Sequence, residues 1–247
     1  YLLSPLNFSI NILAKNPKIL LENKSLDLSD ITTNISLKSF IINQFSINDL
    51  KISTKEIQIK DLISLIRKVK GSPQLFVLDN ITKEGLIYAN IDIMFDLNGE
   101  IKDNYQINGA IKKAKFNIFN HAEIENLNLL FDISKNQLTL RKIETKVNSI
   151  KLKSPLIKIE EKKNIFFFEG KVINDQQNFD VNKLKPILGD LLSTIETEKI
   201  DFNSVNTFSF NMNKNFRLND LKLETNLNLE NFRIFKNPLN LKDFLPN

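Results

Sequence analysis

The chain has no cysteine and no tryptophan, only six glycines among 247 residues, and a single histidine. Each shortage removes a class of function. Without Cys there is no disulfide framework, thiolate nucleophile or Cys-ligated zinc. The redox compartment stays open, because a cytosolic protein and a periplasmic one that needs no bridges give the same count. His121 alone cannot build a His-pair metal site, and no second imidazole is present to act as acid or base. It lies in the polar run Asn120-His121-Ala122-Glu123, and no glycine elbow stands beside a serine, so a solvated loop residue is expected there. Six glycines leave no phosphate loop or dinucleotide fingerprint at any usual spacing. Long apolar runs are also missing, so no helical membrane span is expected.

Acidic residues offer little more. Glu160-Glu161 and Glu123 with Glu125 are close in sequence, but neighbours on a strand face opposite ways and no apolar pocket surrounds either pair. Asp92, Asp96 and Asp103 lack the ligand density of a calcium loop. A glycan hydrolase would need two such acids, drawn from Glu123, Glu160 and Asp96, to meet in a cleft. The expectation is therefore no enzyme, with no catalytic residue, metal or cofactor.

The formal charge is +5 and the estimated pI about 9.1. A nucleic-acid binder would cluster that charge with aromatics or glycine on one face. Here lysines alternate singly with apolar residues, as in Lys151-Leu152-Lys153, the pattern of a solvated strand face. A weak attraction to anionic membrane surfaces is compatible with the same charge.

What the chain does have is apolar alternation. Hydrophobic residues make up 42%, with 19 Phe. Ile87, Ala89, Ile91, Ile93, Phe95 and Leu97 recur with period two, as do Leu127, Leu129, Phe131 and Ile133, then Phe208, Phe210 and Met212, then Leu221, Leu223, Leu227 and Leu229. That is the mark of strands with one buried face. Turn chemistry at Asn98-Gly99, Asn108-Gly109, Ser134 to Asn136 and Asn213 to Asn215 separates the runs.

Between Ile35 and Ile52 the spacing becomes apolar-x-apolar-x-x (Ile35, Leu37, Phe40, Ile42, Phe45, Ile47, Leu50, Ile52). An added residue moves the apolar set to the other face, so the chain must insert a bulge or turn a corner. Parity also switches at Lys112-Lys113, Glu125-Asn126 and Arg141-Lys142. A faint repeat accompanies this: Phe45-Ser-Ile-Asn-Asp-Leu-Lys-Ile52 returns as Phe216-Arg-Leu-Asn-Asp-Leu-Lys-Leu223, with a shorter echo at Ile124 to Leu129. Repetition of one unit is how elongated β structures grow. Helical spacing appears twice. Leu62, Leu65, Ile66 and Val69 predict a helix capped by Asp61 and stopped by Gly71-Ser72-Pro73; Leu184, Ile187, Leu188, Leu191, Leu192 and Ile195 predict another, with Asn182 as cap and Pro186 in its first turn.

An outer-membrane barrel would want Trp and Tyr girdles and uninterrupted strands, and a small closed barrel has no need of the repeat or the helices. The run Phe45-Ser-Ile-Asn-Asp-Leu-Lys-Ile-Ser-Thr-Lys-Glu-Ile-Gln-Ile-Lys-Asp-Leu-Ile-Ser-Leu-Ile66 resembles the AsmA-like proteins of Gram-negative bacteria. Phe95 to Ile111, Lys115 to Ile118 and Ile124 to Ile133 look like the YhdP/TamB-type members of that family. The likeness covers most of residues 25 to 175 and carries no catalytic motif. It implies an inner-membrane anchor, a periplasmic location and a taco-shaped apolar groove that moves phospholipids toward the outer membrane. The chain opens on Tyr1 without a leader, so residues 1–247 are expected to be one continuous segment of a longer protein, its anchor elsewhere.

The expected fold is mainly β: an elongated, strongly curled antiparallel sheet with two short amphipathic helices near 61–70 and 183–196. The expected partners are phospholipid acyl chains, a membrane reached through the anchor and flanking groove segments, with no nucleic acid. Candidate groove-lining residues are Ile91, Ile93, Phe95, Leu97, Tyr105, Ile107, Ile111, Phe116, Ile118, Leu127, Leu129, Phe131, Ile133, Phe208, Phe210, Leu221, Leu223, Leu227 and Leu229. The alternative is a structural β-solenoid segment whose core its own side chains fill.

Overall fold

The computed structural model describes residues 2–4, 8–21, 24–69, 73–118, 122–181, 198–215 and 217–230. Alternating apolar residues over long stretches give long strands. In chain order these are β1 (Leu2–Ser4), β2 (Ser9–Lys15), β3 (Lys18–Leu21), β4 (Lys24–Ser36), helix α1 (Leu37–Ile41), β5 (Ile47–Thr54), β6 (Ile57–Gln58), helices α2 (Ile59–Val69) and α3 (Pro73–Ile81), β7 (Thr82–Met94), β8 (Gln106–Ile118), β9 (Ala122–Ser134), β10 (Gln137–Val147), β11 (Ile150–Lys162), β12 (Ile165–Asp180), β13 (Lys199–Asn213) and β14 (Leu218–Glu230). They make one antiparallel sheet in the order β1-β2-β4-β5-β7-β8-β9-β10-β11-β12-β13-β14, with β3 beside β4 and β6 beside β7. The sheet does not close, and β1 and β14 form its edges.

The parity switches read from sequence are β-bulges. Lys113, Asn126 and Lys142 sit in the left-handed region, with φ of 50°, 51° and 51°. Between the pairs Ile111–Leu129 and Ala114–Leu127, β8 advances three residues while β9 advances two. Neighbouring strands do the same at the same level. Gly85 (φ 137°) interrupts β7 where register shifts against β8, and β12 gains a residue between Asn174 and Gln177. In β11 the bulge level falls at Pro155, facing Lys142 between the pairs Arg141–Leu156 and Ile143–Ser154. A ladder bond is already lost at a bulge, so Pro costs nothing further there. Bulges thus cross six adjacent strands, β7 to β12, and α2 packs at this level of β7 and β8.

The faint repeat is this same unit, apolar-polar-polar-apolar. Leu218-Asn219-Asp220-Leu221 places Asp220 at φ 53°, matching Asn126 in its echo. In the first copy, register slips between Asn34–Asp49 and Ile35–Ile47. The stretch from Ile35 to Ile52 turns a corner rather than bulging at each step: β4 ends at Ser36, whose hydroxyl caps α1 by accepting from the Ser39 N–H (3.2 Å).

Helix α2 begins two residues before the predicted start, so Asp61 lies in its first turn instead of capping it. The reason is tertiary. Ile59 and Ile63, one turn apart, are both buried against Ala114, with Ile87, Ile111, Phe116 and Leu127 around them. Gly85 permits that approach, since a Cβ there would meet the Ala114 Cα at 2.7 Å and the Ile59 Cδ1 at 2.8 Å. Helices α1 and α3 carry no clean amphipathic stripe and were not expected from periodicity. The helix predicted near 183–196 lies outside the described residues.

One turn expectation fails. Asn108-Gly109 is mid-strand in β8, and Gly109 serves space rather than a turn: a Cβ there would meet the Phe131 ring at 2.7 Å. By contrast Asn98-Gly99, Lys135-Asn136 and Lys214-Asn215 are turns as expected.

Candidate functional site

Direct cross-strand partners share a face, because facing residues in antiparallel strands point the same way. One file runs Ile31, Ile52, Ile91, Ile107, Ile133, Leu138, Ile159, Phe168, Phe210, each paired with the next, from β4 to β13. A second runs Ala89, Gly109, Phe131, Leu140, Ile157, Gly170, Phe208, Leu223, from β7 to β14. Neither contains a polar side chain. The file between them, on the opposite face, is Asn90, Asn108, Asp132, Thr139, Lys158, Glu169, Ser209, Lys222, without one apolar member. One face is a hydrocarbon wall; the other is mainly polar, with Tyr88, Ala110, Leu130 and Leu156 beside Arg141 in its next file.

The wall is made continuous by matched bulk. Gly109 and Gly170 sit opposite Phe131 and Phe208, and a Cβ on Gly170 would come within 2.9 Å of the Phe208 ring. Phe168 and Phe210 stack with centroids 4.6 Å apart. Leu129, Phe131 and Ile143 are the buried centre of this wall, flanked by Ile107, Ile133, Leu138, Leu140 and Ile157. Toward β14 cover disappears, and Leu221, Leu223 and Leu227 are 57%, 63% and 53% exposed. Helix α2 is seated on the apolar face through Ile59 and Ile63, and α3 adjoins it at the ends of β7 and β8. The described strands all belong to one open sheet, and no second sheet is packed on the wall among them.

At the bulge level, between β11 and β13, the apolar face turns polar. Ser154, Asn174 and Ser204 are buried there, Asn174 pairing across to Ser204. Their polar atoms serve the backbone and one another. Asn174 Nδ2 donates to the Phe202 carbonyl (3.2 Å), Ser154 Oγ to the Leu156 carbonyl (3.2 Å), and Asn206 Nδ2 to Ser204 Oγ (3.1 Å). Gln177 Nε2 donates to Asn174 Oδ1 and to the Lys151 carbonyl (3.0 Å). Broken ladders leave backbone groups unpaired, and these side chains satisfy them.

Most sequence-predicted lining residues share the apolar face: Ile91, Ile93, Ile107, Ile111, Phe116, Ile118, Leu127, Leu129, Phe131, Ile133, Phe208, Phe210, Leu221, Leu223 and Leu227. Leu229 pairs with Phe202 in the same register, its side chain outside the described residues. Three fall outside the strands. Leu97 lies in the turn after β7 and is 62% exposed, Phe95 makes an isolated bridge to Ile101, and Tyr105 precedes β8. The Asn98-Gly99 turn, with Asp96 Oδ1 accepting from the Asn98 and Glu100 N–H groups (2.8 and 2.9 Å), ends the strand two residues early. Sequence reasoning missed Ile31, Ile52, Leu138, Leu140, Ile157, Ile159 and Phe168, because their alternation is diluted by bulges and by Phe166-Phe167-Phe168, which reads as apolar on both faces.

Several acids of the polar face are engaged in ion pairs. Lys158 and Lys162 both hold Glu160, and their ammoniums bring its carboxyl down to about 2. Lys115 bridges Glu123 (2.6 Å) and Glu125 (3.2 Å), which raises the Lys115 ammonium above its ordinary value. Arg141 pairs with Asp132 (2.6 Å), Lys153 with Asp175 (2.5 Å), and Asp103 with Lys135. Burial pushes the Asp49 carboxyl up, against the pull of nearby Lys51, with Asp92 adding to the rise. His121 lies outside the described residues. Among the described residues no three His, Cys, Asp or Glu side chains converge as a metal site, and no helix is long and apolar enough to cross a membrane.

No protein-family model matches the chain, and no curated protein or solved structure does either.

Proposed function

We propose that the chain is a lipid-binding groove segment, in which the apolar face carries phospholipid acyl chains and the polar face meets water. The observation that carries this reading is the pair of unbroken apolar files across eight and nine strands, over which, among the described residues, little is laid. Bulges aligned across β7 to β12 bend strands at one level, and bending toward the apolar face makes a trough. Ordinary burial suffices for affinity, at roughly 25 cal/mol for each Å² of apolar surface removed from water. An acyl chain lying along the trough requires no catalytic group.

The likeness to AsmA-like proteins supports a setting as well. On that reading the segment works in the periplasm of a Gram-negative bacterium, tethered to the inner membrane through another part of a longer chain. There it would form one stretch of a path for phospholipids toward the outer membrane.

Mass spectrometry of organic extracts from the purified chain tests the proposal. Phospholipid is expected to copurify, and Phe168→Asp together with Phe210→Asp is expected to reduce it several-fold while circular dichroism stays β-type. Recovery without lipid, and no uptake of added phospholipid, would sink the reading and favour a purely structural wall.

A further inference from the structure

Helix α3 is poorly matched to its surroundings. Its nine residues include Leu75, Phe76, Val77, Leu78 and Ile81, so it is apolar on nearly every side. Such a helix belongs in an interior. Yet Phe76, Val77 and Leu78 are 54%, 41% and 37% exposed, and Ile66 on α2 adds to the same surface. It packs on α2 and on the ends of β7 and β8. The Arg67 guanidinium lies 5.3 Å from the Phe76 ring centroid and pairs with Asp79 of α3, and α2 also carries Lys60.

The β10–β11 hairpin reaches the same end of the sheet. Lys146 and Lys151 are direct cross-strand partners beside its Asn148-Ser149 turn, and on its other side Lys146 faces Glu125 of β9. Like charges placed opposite each other destabilise a sheet. Around this turn, residues 141–153 hold five basic side chains and one acidic one, of which Arg141 and Lys153 pair with Asp132 and Asp175. An apolar helix surface that the described residues leave exposed, and a lysine pair placed face to face at the same end, suit a partner that is both oily and negatively charged.

We propose that this end of the sheet docks on an anionic phospholipid bilayer, with Phe76, Val77 and Leu78 entering the headgroup region and Lys146 and Lys151 facing lipid phosphates. Apolar burial and attraction to anionic headgroups add in such contacts. Singly spaced lysines without interleaved aromatics suit a diffuse anionic surface better than nucleic acid. The docking does not depend on what the apolar wall carries.

Because the chain has no Trp, Phe76→Trp gives a single reporter at an exposed position, and Leu97→Trp gives one at the other end of β7. Each full-length variant is titrated with vesicles of phosphatidylcholine alone or with about a quarter phosphatidylglycerol. The Phe76→Trp emission is expected to shift blue, with binding roughly tenfold tighter to the anionic vesicles. Val77→Asp should abolish the shift, and Lys146→Glu with Lys151→Glu should remove the anionic preference. Flotation of the unsubstituted chain with the same vesicles gives the result without a probe. Failure of the chain to float, an equal shift at Leu97→Trp, or binding unchanged by both Val77→Asp and the lysine reversals would overturn the proposal. Lipid copurification with no vesicle binding would leave the groove reading standing alone.

Discussion

Lys113 and Lys142 occupy a backbone region that favours glycine, each with φ near 50° in mid-strand. A residue with a Cβ is held there at a cost of roughly 1 kcal/mol or more. The compensation is visible on either side: the lysine absorbs the extra residue so that Ile111 and Ala114, or Leu140 and Ile143, face the same wall. Lys142→Val should therefore lower stability in urea by about 1–2 kcal/mol, because a β-branched side chain fits this region worst. Lys142→Gly should cost nothing or stabilise. Equal losses from both would show that the lysine side chain, and not its backbone, matters. Glu160 gives a second expectation at this scale. Its carboxyl titrates near 2 in the fold against an ordinary value of 4.5, held down by Lys158 and Lys162. A depressed carboxyl stabilises above its unfolded value and loses that contribution as pH falls through the folded one. The thermal midpoint should thus drop between pH 4.5 and about 2, and Glu160→Gln should flatten that part of the curve.

At the scale of elements, α2 links local pattern to tertiary structure. Its stripe of Leu62, Leu65, Ile66 and Val69 was legible from spacing, but its start was not, since Ile59 joins the helix only because Ala114 and Gly85 leave room for it on the wall. Ile63 is the deepest contact, 3% exposed. Ile63→Ala should cost about 2–4 kcal/mol in chemical denaturation, with amide exchange quickening in α2 before β9 and β10. Unchanged exchange in α2 would mean that the helix is held by something other than this contact. Helix α3 was illegible for the opposite reason: a segment apolar all round has no period to read. The corner at α1 was legible only as a choice between bulge and turn, and Ser36 decided it by capping.

For the whole molecule, the β class and the alternation of a polar with an apolar face followed from period-two residues, and the parity switches located the bulges of β8, β9 and β10 to within a residue but not those of β7, β11 and β12. What alternation could not supply was register. Ile91 and Phe131 each announce a buried face, but that they belong to two neighbouring files depends on which residue of β8 each one meets, Ile107 or Gly109. Gly109 also misled, because Asn-Gly commonly marks a turn and here makes room for a ring. Strand order has a further consequence. From β8 to β14 each described strand bonds only to the strands before and after it in the chain. Stability is then close to a sum of nearest-neighbour couplings, as in a one-dimensional array. A hairpin inserted or removed along that run changes two couplings and leaves the rest intact, so the span of the sheet is a quantity that evolution can alter in steps of one hairpin.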